Sequence, residues 1–400
     1  MSNWAELTTG ERIKYLRGAD LTQQGLAEAA GVSVALVQKA EQGRGELSIG
    51  SLLKIAAALA TDVSVILGQQ APRRGMSQDD RAALRRLSDA VHDSALGDWD
   101  GVGEPGTLAE LARAHGRIGA AYWRGDAAEL SGLAAKVLVE GRARHARTSG
   151  REREELGSLL AGTYQYASSF AILLGQRDLA LGALAYARHL ADEAGDAVLS
   201  ALLDSTLSWV YLRSAKVPRA ITVAERAAAR IEPSFSRPHR PQLLAYGRLM
   251  LSAAVASSRR GDARSAEDHL SQAHAAAVRL GRDEAMYGTH FGPTAVNAEA
   301  VGIAVSLGQH GRALKLADRT ELPASMPKLA RNRYKLDVAL AQCGAGLYDQ
   351  AGDTLVEVGL DAPGWVRHQA LPGVIGKRLA KVSTARVRTI SELIGVPLIS

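Results

Sequence analysis

The chain has 400 residues, of which 46% are hydrophobic and only 4% aromatic, and its formal net charge is +6 at pH 7. Abundant Ala, Leu, Arg and Glu favour an all-α fold and argue against sandwiches, barrels and parallel sheets. The single Cys343 excludes a disulfide framework and a cysteine-based zinc site. There is no signal segment and no apolar run of about 18 residues, so we expect a cytoplasmic protein with no membrane partner.

Short helical patterns fill residues 9–68. Thr22 is placed to cap one short helix, Gly31 to form the turn after it, and Ser33 to cap the next helix, 34–42. Two short helices joined by a tight turn that contains Gly, with a helix on either side, are typical of a helix-turn-helix unit. The positions expected in its core are Leu26, Ala27, Ala30, Val37, Ala40, Leu52, Ile55, Ala56 and Leu59.

Residues 9–68 resemble the Cro/C1-type (XRE) DNA-binding domain. The resemblance implies a domain of five helices that binds double-stranded DNA, with its third helix in the major groove. The pieces that fall in register with that family are Thr22-Gln23-x-x-Leu26-Ala27, Gly31-Val32-Ser33, Glu41-x-Gly43-Arg44 and Leu52-x-x-Ile55-Ala56-x-x-Leu59.

Several residues of this domain are candidates for contact with DNA. A recognition helix places its N-terminal residues at base edges, so Gln38 and Lys39 are positioned to hydrogen-bond bases. The resemblance implies that Gln23 binds a backbone phosphate, whereas Glu41 would be repelled by DNA and is expected to bond within the domain. The candidates are Gln23, Ser33, Val34, Ala35, Gln38, Lys39, Arg44, Lys14 and Arg17.

The N-terminal region has little excess positive charge. Residues 1–75 contain eight Lys and Arg against seven Asp and Glu, a net charge of +1. Phosphate neutralisation provides much of the affinity for DNA, so one such domain should bind weakly. Two domains on one operator would compensate for this. We therefore expect a homodimer on an inverted repeat, with half-sites about one helical turn apart or a multiple of it.

A repeated pattern follows the N-terminal domain. Residues 69–78 are polar and contain Pro and Gly, which is typical of a linker, and residues 79–400 form a long series of amphipathic helical segments. A small residue that ends one helix, with another small or apolar residue one turn into the next, predicts about six helical hairpins. The pairs are Gly125/Leu130, Gly175/Ala180, Ala215/Ala220, Gly261/Ala266, Gly308/Ala313 and Gly346/Ala351.

The Gly-x4-Ala turn resembles that of the tetratricopeptide (TPR) repeat. Successive turns lie 50, 40, 46, 47 and 38 residues apart, against about 34 in that repeat, so a HEAT-like or other α-solenoid is an alternative. We expect residues 366–396 to form the terminal cap that such a stack needs. Basic residues in 377–388 are interpreted as a solvated face of the cap, with a second DNA contact as the alternative.

A stack of helical hairpins presents a concave surface for a peptide, a small molecule, a partner protein or a second copy of the chain. With the N-terminal domain it resembles the peptide-sensing regulators of Gram-positive bacteria and the actinobacterial XRE–TPR regulators, and the segment 290–297 resembles the latter. The alternative is that its aromatic side chains fill gaps between repeats. The candidate ligand-binding residues are Tyr164, Gln165, Tyr166, Ser169, Trp209, Tyr246, Arg248, His290 and Asn297.

The remaining motifs do not indicate catalysis. Residues 101–106 match GxGxxG but follow a polar stretch rather than a strand, so we interpret them as a loop. The ten His are scattered, and no Ser is flanked as in a nucleophile elbow. The sequence predicts no enzymatic activity, no catalytic residue, no cofactor and no metal.

These patterns together predict a sequence-specific DNA-binding transcription regulator whose helical repeats dimerise and sense an effector. The alternative is an interaction scaffold in which the repeats recruit a protein partner and the N-terminal domain is dispensable. The near-neutral charge of residues 1–75 favours this alternative.

Overall fold

A computed structural model describes residues 7–18, 21–44, 47–59, 61, 63–68, 78–97, 101–234, 236, 239–382 and 387–394. Within these ranges the chain forms 21 helices and one two-stranded β-hairpin, which confirms the all-α prediction. The predicted linker, 69–78, lies outside the described residues apart from Gln78, where a long helix begins.

Five short helices form the N-terminal domain, residues 9–68, which we call the headpiece. Their N-termini are capped as predicted: the Thr22 hydroxyl accepts a hydrogen bond from the backbone N–H of Gly25 at 2.9 Å. The Ser33 hydroxyl accepts one from the N–H of Leu36 at 3.2 Å. The helices are α1 (Thr9–Arg17), α2 (Gln23–Ala30), α3 (Val34–Glu41), α4 (Ile49–Ala58) and α5 (Val63–Ile66).

The apolar positions predicted for the headpiece core are buried in the structure. Leu26, Val37 and Ile55 have no exposed surface, while Leu59 is partly buried at the edge of the same cluster. Gly31 has φ +59°, the left-handed conformation that Gly adopts most easily, and it closes the turn between α2 and α3. Local sequence signals therefore fix the relative placement of these two helices.

Six helical hairpins, which we call the array, follow the headpiece. A long helix, α6 (Gln78–Leu96), precedes them and packs against α8. The hairpins are α7 (Leu108–Arg124) with α8 (Ala127–Arg147), α9 (Gly150–Leu173) with α10 (Arg177–Glu193), α11 (Ala197–Arg213) with α12 (Val217–Arg230), α13 (Arg240–Arg260) with α14 (Ala263–Leu280), α15 (Pro293–Ser306) with α16 (His310–Ala317), and α17 (Lys328–Gly344) with α18 (Tyr348–Asp361).

The turns within the six hairpins lie where the sequence pattern places them. Each contains a residue with positive φ, between +59° and +84°. The small or apolar residue one turn into the following helix is buried in every hairpin, as at Leu130 (1% exposed) and Ala180 (0%). The turn residues are Gly125, Gly175, Ala215, Gly261, Gly308 and Gly346.

Ala215 is the exception among these turn residues, because its φ of +59° carries the steric cost of a Cβ. That cost is about 1 kcal/mol or more. We therefore expect Ala215→Gly to raise the free energy of unfolding by up to about 1 kcal/mol, the gain being reduced by the greater freedom of Gly in the unfolded chain. Urea unfolding measures the change. The matched variant Gly175→Ala, at φ +71°, should be destabilised, and a stabilised Gly175→Ala would contradict the argument.

A β-hairpin that the sequence pattern does not predict lies between α14 and α15. Its strands, β1 (Glu284–Met286) and β2 (Thr289–Phe291), pair antiparallel. The ring of Phe291 is fully buried, and an added Cβ at Gly247 of α13 would lie 2.0 Å from it. The missing side chain at Gly247 therefore allows the hairpin to pack directly on α13.

Three helices cover the last hairpin of the array, and the second and third of them fall within the cap predicted for residues 366–396. They are α19 (Pro363–Val366), α20 (Ala370–Ala380) and α21 (Val387–Ile394). Helix α20 packs against α17 and helix α21 against α18. Apolar side chains of the last hairpin are thereby buried, as a terminal repeat requires.

The headpiece packs between α13 and the terminal helices. An added Cβ at Gly50 of α4 would lie 3.7 Å from the carbonyl oxygen of Arg259 in α13. On the side of the terminal helices, Arg12 of α1 lies near Lys377 of α20. Burial, together with the charge of Arg12, lowers the pKa of Lys377 to about 7. One cluster of buried apolar side chains runs from Ile55 of the headpiece to Ala256 of the array. The two parts therefore share a hydrophobic core.

His115 of α7 makes folding stability depend on pH. Burial lowers its pKa from 6.5 to about 4, and its Nδ1 lies 2.9 Å from the Thr163 hydroxyl. The His115 side chain binds a proton at higher pH in the unfolded chain than in the folded chain. Its contribution to the free energy of unfolding is therefore complete above about pH 6.5 and is lost as the pH falls towards 4. Between pH 7 and 5 we expect urea unfolding of the natural chain to lose about 2 kcal/mol more than that of His115→Gln. Equal losses would contradict this assignment.

Candidate functional site

The outer face of α3 is fully available to a partner. Val37 and Ala40 point into the headpiece core, which leaves the opposite side of the helix in solvent. At Val34, 36% of the residue's surface is exposed. The predicted base-contacting residues on this exposed face are Ser33, Val34, Ala35, Gln38 and Lys39.

Glu41, at the end of α3, holds the first three helices together. Its carboxylate accepts hydrogen bonds from Arg17 Nε at 2.7 Å and from Gln23 Nε2 at 2.7 Å. Burial opposes ionisation of Glu41, but these two donors outweigh it and keep its pKa below the usual value. The prediction that Glu41 bonds within the domain is confirmed. The side chains of Arg17 and Gln23, which were predicted to contact phosphates, bind this carboxylate instead.

The other two predicted phosphate contacts are exposed side chains. Lys14 lies on the outer face of α1, and Arg44 follows the end of α3. Together with Lys39 they provide three exposed cations around α3. Cations placed in this way can hold a duplex by its backbone while the face of α3 contacts bases.

Comparison with known proteins gives a match that lies in the headpiece. Residues 13–66 match the family model described as Helix-turn-helix. The chain carries a helix-turn-helix domain. The matched range spans all five helices of the headpiece except the first turn of α1. No curated protein and no solved structure matches the chain.

A cavity of about 430 Å³ lies between the helix-turn-helix domain and the array. Ile49 and Leu53 of α4 and Val63 of α5 contribute to its wall, opposite residues of the array. Six of the predicted ligand-binding residues line it, namely Gln165, Tyr166, Ser169, Trp209, Arg248 and His290.

Three predicted ligand-binding residues do not line this cavity. Tyr164 is fully buried and its hydroxyl lies 2.8 Å from that of Ser94. Tyr246 donates a hydrogen bond to Gln272 Oε1 at 2.8 Å. Asn297 is exposed on α15. Tyr164 therefore has the packing role that was the alternative to ligand binding for these aromatic residues.

Aromatic rings and cations are concentrated at one end of the cavity. The rings of Tyr122 and Tyr166 lie 5.5 Å apart, and the Arg213 guanidinium lies 5.7 Å from the centre of the Trp209 ring. Burial raises the pKa of Tyr122, although a hydrogen bond with Ser169 and the charges of Arg248 and Arg213 oppose this. Both arginines line the cavity together with this phenol and act on its pKa.

Polar atoms without a hydrogen-bond partner also border the cavity. The unpaired atoms are Gln165 Oε1, Arg213 Nε, His368 Nδ1 and Gln369 Nε2, and both glutamine residues are only 5% exposed. Burying such atoms without a partner costs about 1–3 kcal/mol each. The cavity wall therefore has a capacity for hydrogen bonding that the described residues do not use.

A buried charge cluster lies at the headpiece end of the cavity. Asp337 accepts a hydrogen bond from Arg333 at 3.2 Å, and burial raises its pKa even though Arg333 and Arg259 counteract this. Burial likewise lowers the pKa of Arg259 to about 10. Gly302 lets the carboxylate approach, since an added Cβ would lie 2.9 Å from Asp337 Oδ2. Arg333 and Asp337 therefore form an ion pair, and the charges of Asp337 and Glu299 act on Arg259.

The sequence-based choice of cavity residues missed several that matter. Arg213 follows the predicted Trp209 by one helical turn on α11, so helical spacing was a usable signal for it. Tyr122, Arg259 and Arg333 come from hairpins remote in sequence. No spacing pattern in the sequence predicts that such residues line the same cavity.

The residues that the structure describes show neither a metal-binding cluster nor a membrane-spanning helix. They contain no group of three or more His, Cys, Asp or Glu side chains placed to hold a metal ion. None of their helices is both long and apolar enough to cross a membrane.

Proposed function

We propose that the protein is a sequence-specific DNA-binding transcription regulator in the cytoplasm. The observation that carries this proposal is a helix-turn-helix match over residues 13–66 together with an α3 whose outer face is exposed. Gln38 and Lys39 read bases in the major groove, and Lys14 and Arg44 contact phosphates. We assign no catalytic reaction, cofactor or metal to the chain.

The regulator acts as a homodimer on an inverted repeat. Support comes from the net charge of only +1 in residues 1–75, which makes a single domain a weak DNA binder. Two domains linked through their arrays bind one operator with a much higher effective affinity. The resemblance of the headpiece to the Cro/C1-type (XRE) family supports the same geometry.

The TPR-like array, residues 79–400, senses an effector. Support comes from the cavity between the array and the headpiece. Its volume of about 430 Å³ is within the range of small-molecule sites and favours a small molecule over an extended peptide. An effector in this position touches both the sensing and the DNA-binding part of the chain.

The test is selection of bound fragments from a random or genomic DNA pool by the full-length protein at about 150 mM salt, where non-specific binding is suppressed. The proposal expects enrichment of an inverted repeat. The complex with this operator should weaken steeply as salt increases, and its mass should correspond to two chains per site. Failure to enrich any sequence, both alone and with a cell extract as a source of effector, would overturn the proposal.

The alternative function is an interaction scaffold with a dispensable headpiece. Two observations favour it: the near-neutral charge of residues 1–75, and the engagement of Arg17 and Gln23 with Glu41 rather than with solvent. In a scaffold, replacing Gln38 and Lys39 leaves the cellular function intact. In a regulator the same replacement removes it.

A further inference from the structure

The anion-binding capacity of the cavity lies in two arginines. The guanidinium of Arg248 makes no hydrogen bond or ion pair with another residue in the described ranges. Arg213 donates one hydrogen bond, from Nη2 to the carbonyl oxygen of His368 at 3.3 Å, and its Nε is unpaired. Both arginines line the cavity together with Tyr122, and the charges of both act on its hydroxyl.

The acidic side chains that line the cavity, Asp80, Asp126, Glu299 and Asp337, form no ion pair with either of these arginines. Glu299 acts on Arg259 and Asp337 instead. Asp337 is paired with Arg333, and Asp80 lies 3.5 Å from His368. Asp126 accepts the hydrogen bond that caps α8. Two guanidinium groups in a partly enclosed, low-dielectric space are energetically unfavourable without a counter-ion. This end of the cavity therefore attracts an anionic group.

The rest of the same region is aromatic. Tyr122, Tyr166 and Trp209 provide ring surfaces next to the two arginines. Beyond them, the buried Leu53 and the other apolar side chains of α4 and α5 continue the wall. A planar apolar ligand can stack on such rings, whereas a flexible aliphatic ligand loses more conformational entropy on binding.

We propose that this cavity binds a small aromatic anion, whose carboxylate, phosphate or sulfonate group lies between Arg213 and Arg248 and whose ring system packs on Tyr166 and Trp209. Gln165 Oε1, buried and unpaired, accepts a hydrogen bond from a donor on the ligand. This inference deepens the proposed function, on which it rests for its regulatory meaning, because it gives the chemical class of the effector.

The position of the cavity also indicates how a bound ligand can change DNA binding. Ile49 and Leu53 belong to α4, which packs against α2 in the helix-turn-helix domain. A ligand that fills the space beside these side chains favours one placement of the headpiece on the array over others. In a dimer, that placement sets the separation of the two recognition helices.

The test uses two fluorescent probes on the full-length protein in the absence of DNA. Anilinonaphthalene sulfonate carries an aromatic system, an N–H donor and an anionic group, and phenylnaphthylamine is its neutral counterpart. We expect the sulfonate to bind one site per chain, and Arg248→Gln to weaken that binding about tenfold or more, as loss of a charge-assisted contact implies. Binding of the neutral probe should change little.

Matched variants distinguish binding of the probe in the cavity from binding elsewhere on the surface. Arg213→Gln should resemble Arg248→Gln, whereas Arg264→Gln, an exposed arginine on α14, should leave both probes unaffected. Thermal unfolding identifies any variant that fails to fold. Equal sulfonate affinity in the natural chain and both cavity variants, or a stoichiometry of many probes per chain, would overturn the proposal.

This outcome is independent of the proposed function. Probe binding is measured without DNA, so a protein that enriches no operator can still show the anion site. A regulator with a clear operator can equally lack the site. Once an operator is known, addition of the sulfonate probe to the operator complex should shift the apparent DNA affinity in the natural chain and not in Arg248→Gln.

Discussion

Replacing Gln38 and Lys39 together with Ala is expected to weaken operator binding about 100-fold or more. Each side chain lies on the exposed face of α3, which the proposed function places against base edges in the major groove. A well-placed base contact is worth about 1–3 kcal/mol, and two of them give a loss of this size. Fluorescence anisotropy with a labelled operator, at constant salt, measures the change.

Because the double variant also removes one positive charge, the control must do the same. Lys315→Ala removes an exposed lysine from α16 in the array, far along the chain from the headpiece, and should leave operator affinity within about twofold. Binding to non-specific DNA should fall only slightly in the double variant. If operator and non-specific DNA lost the same factor, the two side chains would be acting as phosphate contacts instead of reading bases.

Replacing Gly10 with Ala is expected to disrupt the headpiece. An added Cβ would lie 2.3 Å from the carbonyl oxygen of Ala40 and 2.8 Å from that of Glu41, and backbone atoms cannot rotate out of the way as side chains do. Helix α1 must then move away from α3. We expect a loss of about 3 kcal/mol in the free energy of unfolding, together with loss of operator binding. Urea unfolding and operator titration measure the two effects.

The matched control for this variant is Gly50→Ala in α4. Its added Cβ meets nothing closer than the Arg259 carbonyl oxygen at 3.7 Å, an ordinary contact. Both changes gain about the same helix propensity, so the difference between them isolates the steric clash. An unfolding midpoint of Gly10→Ala equal to that of Gly50→Ala would show that α1 and α3 do not approach as closely as described.

Features that depend on a few neighbouring residues could be predicted from the sequence. The caps at Thr22 and Ser33 and the turn at Gly31 are set by residues within one turn of each other. The same holds for the hairpin turns, where a left-handed residue and a small residue such as Ala180 occur at fixed spacing. The role of Glu41 followed from charge alone, since a carboxylate facing DNA is repelled.

Features that depend on distant segments could not be predicted. Strands of three residues, as at 284–286 and 289–291, show no periodicity from which to recognise them. The packing of Phe291 on Gly247 joins residues far apart in the chain. The cavity joins α4 to helices of the array, and its unpaired Arg248 is recognisable only once the neighbouring acids are located. The residue type of Tyr164 suggests ligand binding, but the side chain is buried and contacts Ser94 of α6.

The contribution of Ile49 and Leu53 to the cavity wall has a consequence for the operator itself. Thermodynamic linkage is reciprocal: if an occupant of the cavity changes the affinity for DNA by some factor, DNA changes the affinity for the occupant by the same factor. Operator DNA then changes the affinity of the cavity for its ligand. In a cell, a chain bound at its operator would respond to a different concentration of the small molecule than a chain free in solution.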